Sequence, residues 1–430
     1  MHDRNRQLDD PIEMNLVAVR QTQMAWSRQP ITERLKLIRE LRRRMATAAQ
    51  DLAAAAGAVR ERPLAEKLIS EVLPTADACK WLEQNSARVL APRRCGKQGR
   101  PFWMRGISFD VHRQPFGVVL VIGPGNYPLF LPAVHALHAL VAGNAVLLKP
   151  APNTGAVASA FANLFYEAGF HRSLLTILPE SVDAARSAIA HGVDKVVFTG
   201  TSENGRDVFA QLAPHNTPAV MELSGEDAVV VFADADVDLV VRALNFGIVL
   251  NGGETCMVPK RLIVVDAIAN ELFEHLQPEG SSQFSIERVR DEAAAIERAE
   301  ASDFALGVSI FSRDIAKARS LAVNIKSGFV LINDLIVPTA DPRMPFGGVK
   351  KSGFGTTRGD EGLLEMTFAH VVAVRRGKFY HHFDESGPDD VRIFSSYILA
   401  AHGRGPGRLG ALRELVSALT GRARKGKLQS

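Results

Sequence analysis

The sequence predicts an α/β protein with two parallel-sheet regions, and three observations predict it. From Pro115 onward, short β-branched runs alternate with amphipathic segments, the pattern of parallel strands joined by crossover helices. The first hundred residues instead repeat apolar side chains every three or four positions, with Arg and Lys on the other face. A chain of 430 residues, 46% apolar and 23% charged, can bury two or three cores.

Taken in order, residues 31–56 and 63–90 read as helices that pack on something larger. Strands follow at 117–122, 145–148, 174–178, 195–199 and 228–232, with crossover helices at 129–141, 154–168, 182–190 and 203–212. After a helical stretch through Asn245, a second set of strands is expected at 261–265, 308–312 and 328–332, with helices at 288–299 and 315–323. Two alternating segments, 107–114 and 367–376, read as arms for another subunit.

Composition excludes several classes. No run of about 18 apolar residues is free of Pro, Gly or charge, so no membrane span is expected. Asp9, Asp10 and Glu13 interrupt the first thirty residues, no secretory signal is visible, and the expected location is the cytoplasm. Three cysteines, Cys79, Cys95 and Cys256, show no paired metal-ligand spacing, so no metal site is expected. The net charge is +4, yet residues 401–430 hold seven Arg and Lys against Glu414 alone. That basic tail reads as a solvated, partly frayed terminus; the other reading is contact with an anionic surface, and without interleaved aromatics no nucleic acid is expected.

Five segments carry side chains suited to chemistry. Residues 121–128 end an apolar strand in a Gly/Pro turn whose strongly polar side chain is Asn126, either an ordinary turn former or an amide donor into a cleft. Residues 196–205 give a strand, a glycine turn and a helix start, where backbone N–H groups suit a phosphate. Lys149 ends a strand ahead of Pro150 and is either solvated or within reach of a ribose or phosphate. Cys256, in a glycine turn, is either an accessible nucleophile or an inert buried thiol. Glu222 is a carboxylate in an apolar strand; burial is expected to raise its pKa toward that of a general base, unless it is salt-bridged.

In this order the segments resemble the aldehyde dehydrogenase superfamily over roughly residues 25–374: Pro124-Gly-Asn-Tyr-Pro128, Leu147-Leu-Lys-Pro150, Phe198-Thr-Gly-Thr-Ser-Glu-Asn-Gly205, Met221-Glu-Leu-Ser-Gly225, Asn251 to Cys256, and Pro345-Phe-Gly-Gly-Val-Lys-Lys-Ser-Gly353. The resemblance implies a Rossmann-like NAD(P)-binding domain (1–106 and 115–224), a catalytic domain (225–366), an oligomerisation arm (107–114 and 367–376) and a separate basic tail (381–430). It implies that Cys256 attacks an aldehyde, that Asn126 holds the oxyanion and that Glu222 activates water to release a carboxylic acid. It also implies NAD or NADP held by Ile122, Gly123, Pro124, Lys149, Pro150, Gly200, Thr201, Gly205 and Leu223, and a homodimer or dimer of dimers.

Departures from the family pattern are visible in the same residues. A block usual after His275 is nearly absent, and with it the glutamate that grips the nicotinamide ribose. Glu254 stands two residues before the nucleophile, where it is expected to raise the Cys256 pKa. Pro152 occupies a position where NAD-preferring relatives place an acid, so NAD and NADP are not distinguished. Two alternatives to hydrolytic oxidation stand beside it: acyl transfer to or from coenzyme A, and a catalytically weak member of the fold retained for binding.

Overall fold

The computed structural model describes residues 11–56, 62–276, 284–377, 380–383 and 385–428. They fall into two compact units, one of residues up to Cys95 together with Phe109–Val372, the other of Gly96–Ser108 and Ala373–Ser430.

The larger unit holds two main sheets, one all parallel and one parallel except for an antiparallel edge strand. The first has six strands in the order Gly353–Phe354, Ala219–Glu222, Lys195–Thr199, Val118–Ile122, Ala145–Lys149, Leu175–Ile177. Starting from Val118–Ile122, the chain steps outward one way through two strands, then returns to build the other side. That reversal opens a crevice at the carboxyl ends of Val118–Ile122 and Lys195–Thr199, where ligands of such sheets bind. Every residue of Val118–Ile122 and Ala145–Lys149 is buried, as expected for strands covered on both faces. The helix Phe130–Ala142 is buried throughout.

The second sheet runs Ser285–Val289, Arg261–Val265, Ala228–Val231, Gly307–Phe311, Phe329–Ile332, all parallel. The expected strands, all four crossovers of the first sheet and the helix Ile315–Ala322 stand within a few residues of expectation, but Ala228–Val231, expected to continue the first set of strands, lies in the second sheet.

Three other expectations fail for identifiable reasons. Residues 288–289 belong to the strand Ser285–Val289, and the helix begins only at Glu292. This is an edge strand whose charges are paired, Glu287 with Arg261 and Arg298 and Arg288 with Asp266, so its pattern reads as polar helix. The helix expected over 63–90 carries a π-helical turn at Leu68–Val72, immediately ahead of Pro74, which has no N–H to continue a regular ladder. The basic tail is no frayed terminus: it forms two helices, Pro388–His402 and Gly407–Leu428. The short connection after His275 includes residues 277–283, which lie outside the described residues.

The expected arms pair within the chain, in a three-stranded sheet of order Arg93–Cys95, Ile107–Pro115, Thr367–Arg375. Most of Thr367–Arg375 is exposed.

Candidate active site

A cavity of about 1000 Å³ in the larger unit is lined by Ile122 to Tyr127, Lys149, Phe198 to Thr201, Glu222 to Gly225, Glu254 to Val258 and Arg358, among others. It therefore meets the carboxyl ends of the first sheet's strands and the turns that lead into strands Ala228–Val231 and Arg261–Val265 of the second. Asn126, Glu222 and Cys256 all line it, as do Ile122, Gly123, Pro124, Lys149, Gly200, Thr201 and Leu223. Pro150 and Gly205 lie outside the lining; a Cβ on Gly205 would stand 2.5 Å from the Leu223 side chain, so this glycine seats the helix Ser202–Leu212 against Leu223.

The loop that carries Cys256 is shaped by residues that tolerate left-handed backbone. After the helix Val237–Val249, Asn251 and Gly252 take φ of 56° and 63°, a region that glycine and asparagine enter at low cost. Asn251 Nδ2 donates to the Asn126 carbonyl at 2.9 Å, while Asn126 Nδ2 donates to the Glu254 carbonyl at 2.7 Å. The two asparagines thereby tie the turn after the first strand to the nucleophile loop, and one N–H of the Asn126 amide remains for a ligand. Tyr127 Oη and Thr255 Oγ1 share a hydrogen bond of 2.9 Å beside them. Gly225 completes the approach: a Cβ there would lie 2.9 Å from the Cys256 carbonyl oxygen and 3.1 Å from Leu306 Cβ.

Burial pushes the Cys256 thiol up to about 12, and the carboxylates of Asp227 and Glu222 push the same way while Arg358 opposes them. Glu254, expected to be the acid that acts on the thiol, supplies its backbone carbonyl to Asn126 instead. Asp227 itself is buried and pushed up to about 8 by that burial, with a hydrogen bond from the Gly307 N–H acting against the shift.

Glu222 departs from expectation in the opposite sense. Burial alone would raise its pKa, but His135, Thr357 and Arg358 outweigh it and hold the carboxyl at about 2. Thr357 Oγ1 donates to Oε1; Thr199 Oγ1 donates to Oε2 at 2.9 Å, and His135 Nε2 stands 3.3 Å from the same oxygen. The strand Gly353–Phe354 brings Thr357 within reach by pairing antiparallel with Ala219–Glu222, Gly353 opposite Glu222. Gly353 has φ of 112°, and a Cβ on it would lie 1.8 Å from the Met221 carbonyl oxygen, so this pairing requires glycine.

His135, Thr357 and Arg358 are the functional neighbours that motif reading missed. Arg358 is 3% exposed and takes φ of 61°, an unusual conformation for a residue with a long side chain. Its guanidinium lies over the rings of Phe346 and Phe130, at 4.2 and 5.5 Å, and donates to the Thr339 carbonyl. His135 and His138 are the two polar side chains of an otherwise apolar helix, and that was the available signal for His135. The helix that carries it is anchored by Glu71, 0% exposed, which accepts from the N–H groups of Leu129 and Phe130 and pairs with Arg62 at 2.8 Å.

The sheet-one side of the cavity fits a dinucleotide. Lys149 lines it at a strand end, and no side-chain hydrogen bond holds its ammonium among the described residues. Thr201 caps the helix Ser202–Leu212, its Oγ1 accepting from Asn204 N at 3.2 Å, which leaves other N–H groups of the first turn open to an anion. A Cβ on Gly200 would lie 2.6 Å from the Phe198 ring, so any larger residue here would have to displace that side chain.

The sequence profile described as the aldehyde dehydrogenase family matches residues 8–282 and 284–372. The chain belongs to the aldehyde dehydrogenase family. It is an oxidoreductase of that family. A relative from Methylomonas sp, named 4,4'-diapolycopene aldehyde oxidase, is 29% identical over 90% of this chain and 87% of its own. A Deinococcus radiodurans relative named succinate-semialdehyde dehydrogenase [NADP(+)] is 28% identical over 81% and 87%. Among solved structures, succinic semialdehyde dehydrogenase from Streptococcus pyogenes with NADP+ matches at a TM-score of 0.77 and 21% identity, covering 87% of this chain and 97% of that one. This last match speaks to the aldehyde dehydrogenase fold, which the two sheets share.

Proposed function

We propose that this aldehyde dehydrogenase oxidises an aldehyde to a carboxylic acid through a thioester on Cys256. The observation that carries the reading is the convergence of Cys256, Asn126 and Glu222 on one cavity whose other side suits a dinucleotide. The Cys256 sulfur, once deprotonated, bonds to the carbonyl carbon, and the oxyanion accepts from the uncommitted N–H of Asn126 and from the Cys256 backbone N–H. Lys149, Gly200 and Thr201 would hold the nicotinamide cofactor, which when bound would supply the acceptor for the hydride that leaves the former carbonyl carbon as the thioester forms. Glu222 then takes a proton from the water that attacks the thioester carbon, and the Cys256 sulfur leaves.

Glu222 is clamped on both oxygens in the resting arrangement. A carboxylate at about 2 is a weak base, so the water must displace a donor or reach a side chain that has turned from Thr357. Retention of this carboxylate favours water over coenzyme A as acceptor. The apolar lining by Leu73, Phe130, Leu131, Phe246 and Met257 favours an apolar aldehyde. The two obvious cations near Cys256 are engaged, Lys260 by the Gly225 carbonyl and Arg358 by that of Thr339. The exposed strand Thr367–Arg375 is the surface we assign to a homodimer.

The test is an assay of wild type and Cys256→Ala on aldehydes of increasing chain length, with both nicotinamide cofactors and with or without coenzyme A. The reading expects acid formation independent of coenzyme A, kcat/KM rising with chain length, and no measurable oxidation by the variant, which still binds cofactor. Unchanged turnover by Cys256→Ala removes the thioester route; acyl-CoA formed in place of free acid removes Glu222 as water activator.

A further inference from the structure

The helices Pro388–His402 and Gly407–Leu428 form a hairpin. They run antiparallel, with Arg392 paired to Glu414 and Arg408 Nε donating to the Ala400 carbonyl at 3.0 Å. Ile393 and Ser396 of the first helix and Ala411 and Ala418 of the second are buried.

On the first helix Val391, Phe394 and Ile398 are 73%, 59% and 60% exposed. On the second, Leu409, Leu412, Val416 and Leu419 are 68%, 51%, 54% and 48% exposed. Both sets recur at three- and four-residue intervals, so each is a stripe along one helix face. At about 100° per residue, both stripes turn in the same rotational sense away from the buried residues, and Arg392 and Glu414 turn in the opposite sense. In an antiparallel pair this puts the two stripes on one side of the hairpin and the ion pair on the other.

Charge identifies what suits that apolar side. Residues 388–430 carry eight Arg and Lys, among them Arg404, Arg408 and Arg413, against three acids, Asp389 and Asp390 at the start of the first helix and Glu414, which is paired with Arg392. A second copy laid face to face would bring two such cationic excesses together. Among the described residues no helix is long and apolar enough to cross a membrane. We propose that this hairpin lies flat on a bilayer surface containing anionic phospholipid, its apolar side at the acyl boundary and its Arg and Lys among the phosphates.

The test is flotation of the full-length protein with vesicles of phosphatidylcholine alone or mixed with phosphatidylglycerol, alongside sedimentation without lipid. The protein floats with the mixed vesicles and not with phosphatidylcholine alone, and raising the salt releases it. The exposed-site variant Phe394→Asp/Leu412→Asp/Val416→Asp stays unbound while retaining cofactor binding. Arg404→Gln and Arg413→Gln each weaken binding about five-fold. Three results overturn the proposal: no flotation with either vesicle, equal flotation of wild type and triple variant, or no flotation together with a dimer that the triple variant converts to monomer.

Discussion

The strand end that carries Glu222 and the loop that carries Cys256 are built oppositely, although they share one cavity. Glu222 is surrounded by donors from three elements, and its charge persists despite burial, at a pKa of about 2. Cys256 meets burial and two carboxylates, and its proton is retained up to about 12. Burial is common to both. It sets the thiol's upward shift, whereas at Glu222 the neighbouring charges and hydrogen bonds outweigh it, and the resting site therefore keeps its carboxylate charged and its thiol neutral.

The largest break in this comparison comes from Asn126→Ala, which removes a donor to the oxyanion but leaves Glu222 clamped. We expect kcat to fall about 10²–10³-fold, with cofactor affinity changed little; stopped-flow and equilibrium titration separate the two. Thr357→Val instead loosens the carboxylate side by taking the donor from Oε1. The cost of the unmet buried acceptor is about 1–3 kcal/mol of stability, read by denaturant unfolding, and unchanged stability would show that Thr357 does not hold Glu222.

Asp227 sharpens the thiol side through pH. Its folded pKa of about 8 lies above the ordinary aspartate value of 3.8. Its contribution is thus fully present below the unfolded value and is lost as pH rises through the folded one. Melting temperature should therefore decline from acid pH toward pH 8, and Asp227→Asn, which keeps an acceptor for Gly307, should flatten that decline. A smaller effect belongs to Arg358, the cation that opposes the thiol's shift. Arg358→Met should move the pH midpoint of Cys256 alkylation upward and Arg358→Lys should restore it; an unmoved midpoint assigns Arg358 to packing alone.

The sheets and the motif residues were legible because each rests on a local pattern. Fully buried strands such as Val118–Ile122 are short apolar runs between turn residues, and the turns after them hold Asn126, Lys149 and Thr201. The environment of Glu222 was not legible, because its partners come from 87 residues earlier at His135 and 135 residues later at Thr357. Neither residue type signals that role, and the expected upward shift of Glu222 failed for want of them. The edge strand Ser285–Val289 was hidden by its paired charges. The carboxyl-terminal hairpin was hidden because its charges were read in sequence, whereas the apolar stripes emerge only with the helix period.

The central claim is that Cys256 forms the thioester and Glu222 serves the water that cleaves it. Glu222→Gln, mixed rapidly with aldehyde and NAD(P)+, tests it most directly. The account predicts a stoichiometric burst of reduced cofactor, an acyl adduct on Cys256 by intact-protein mass, and steady turnover slower by about 10²–10⁴-fold. Wild-type steady turnover with no adduct would contradict it.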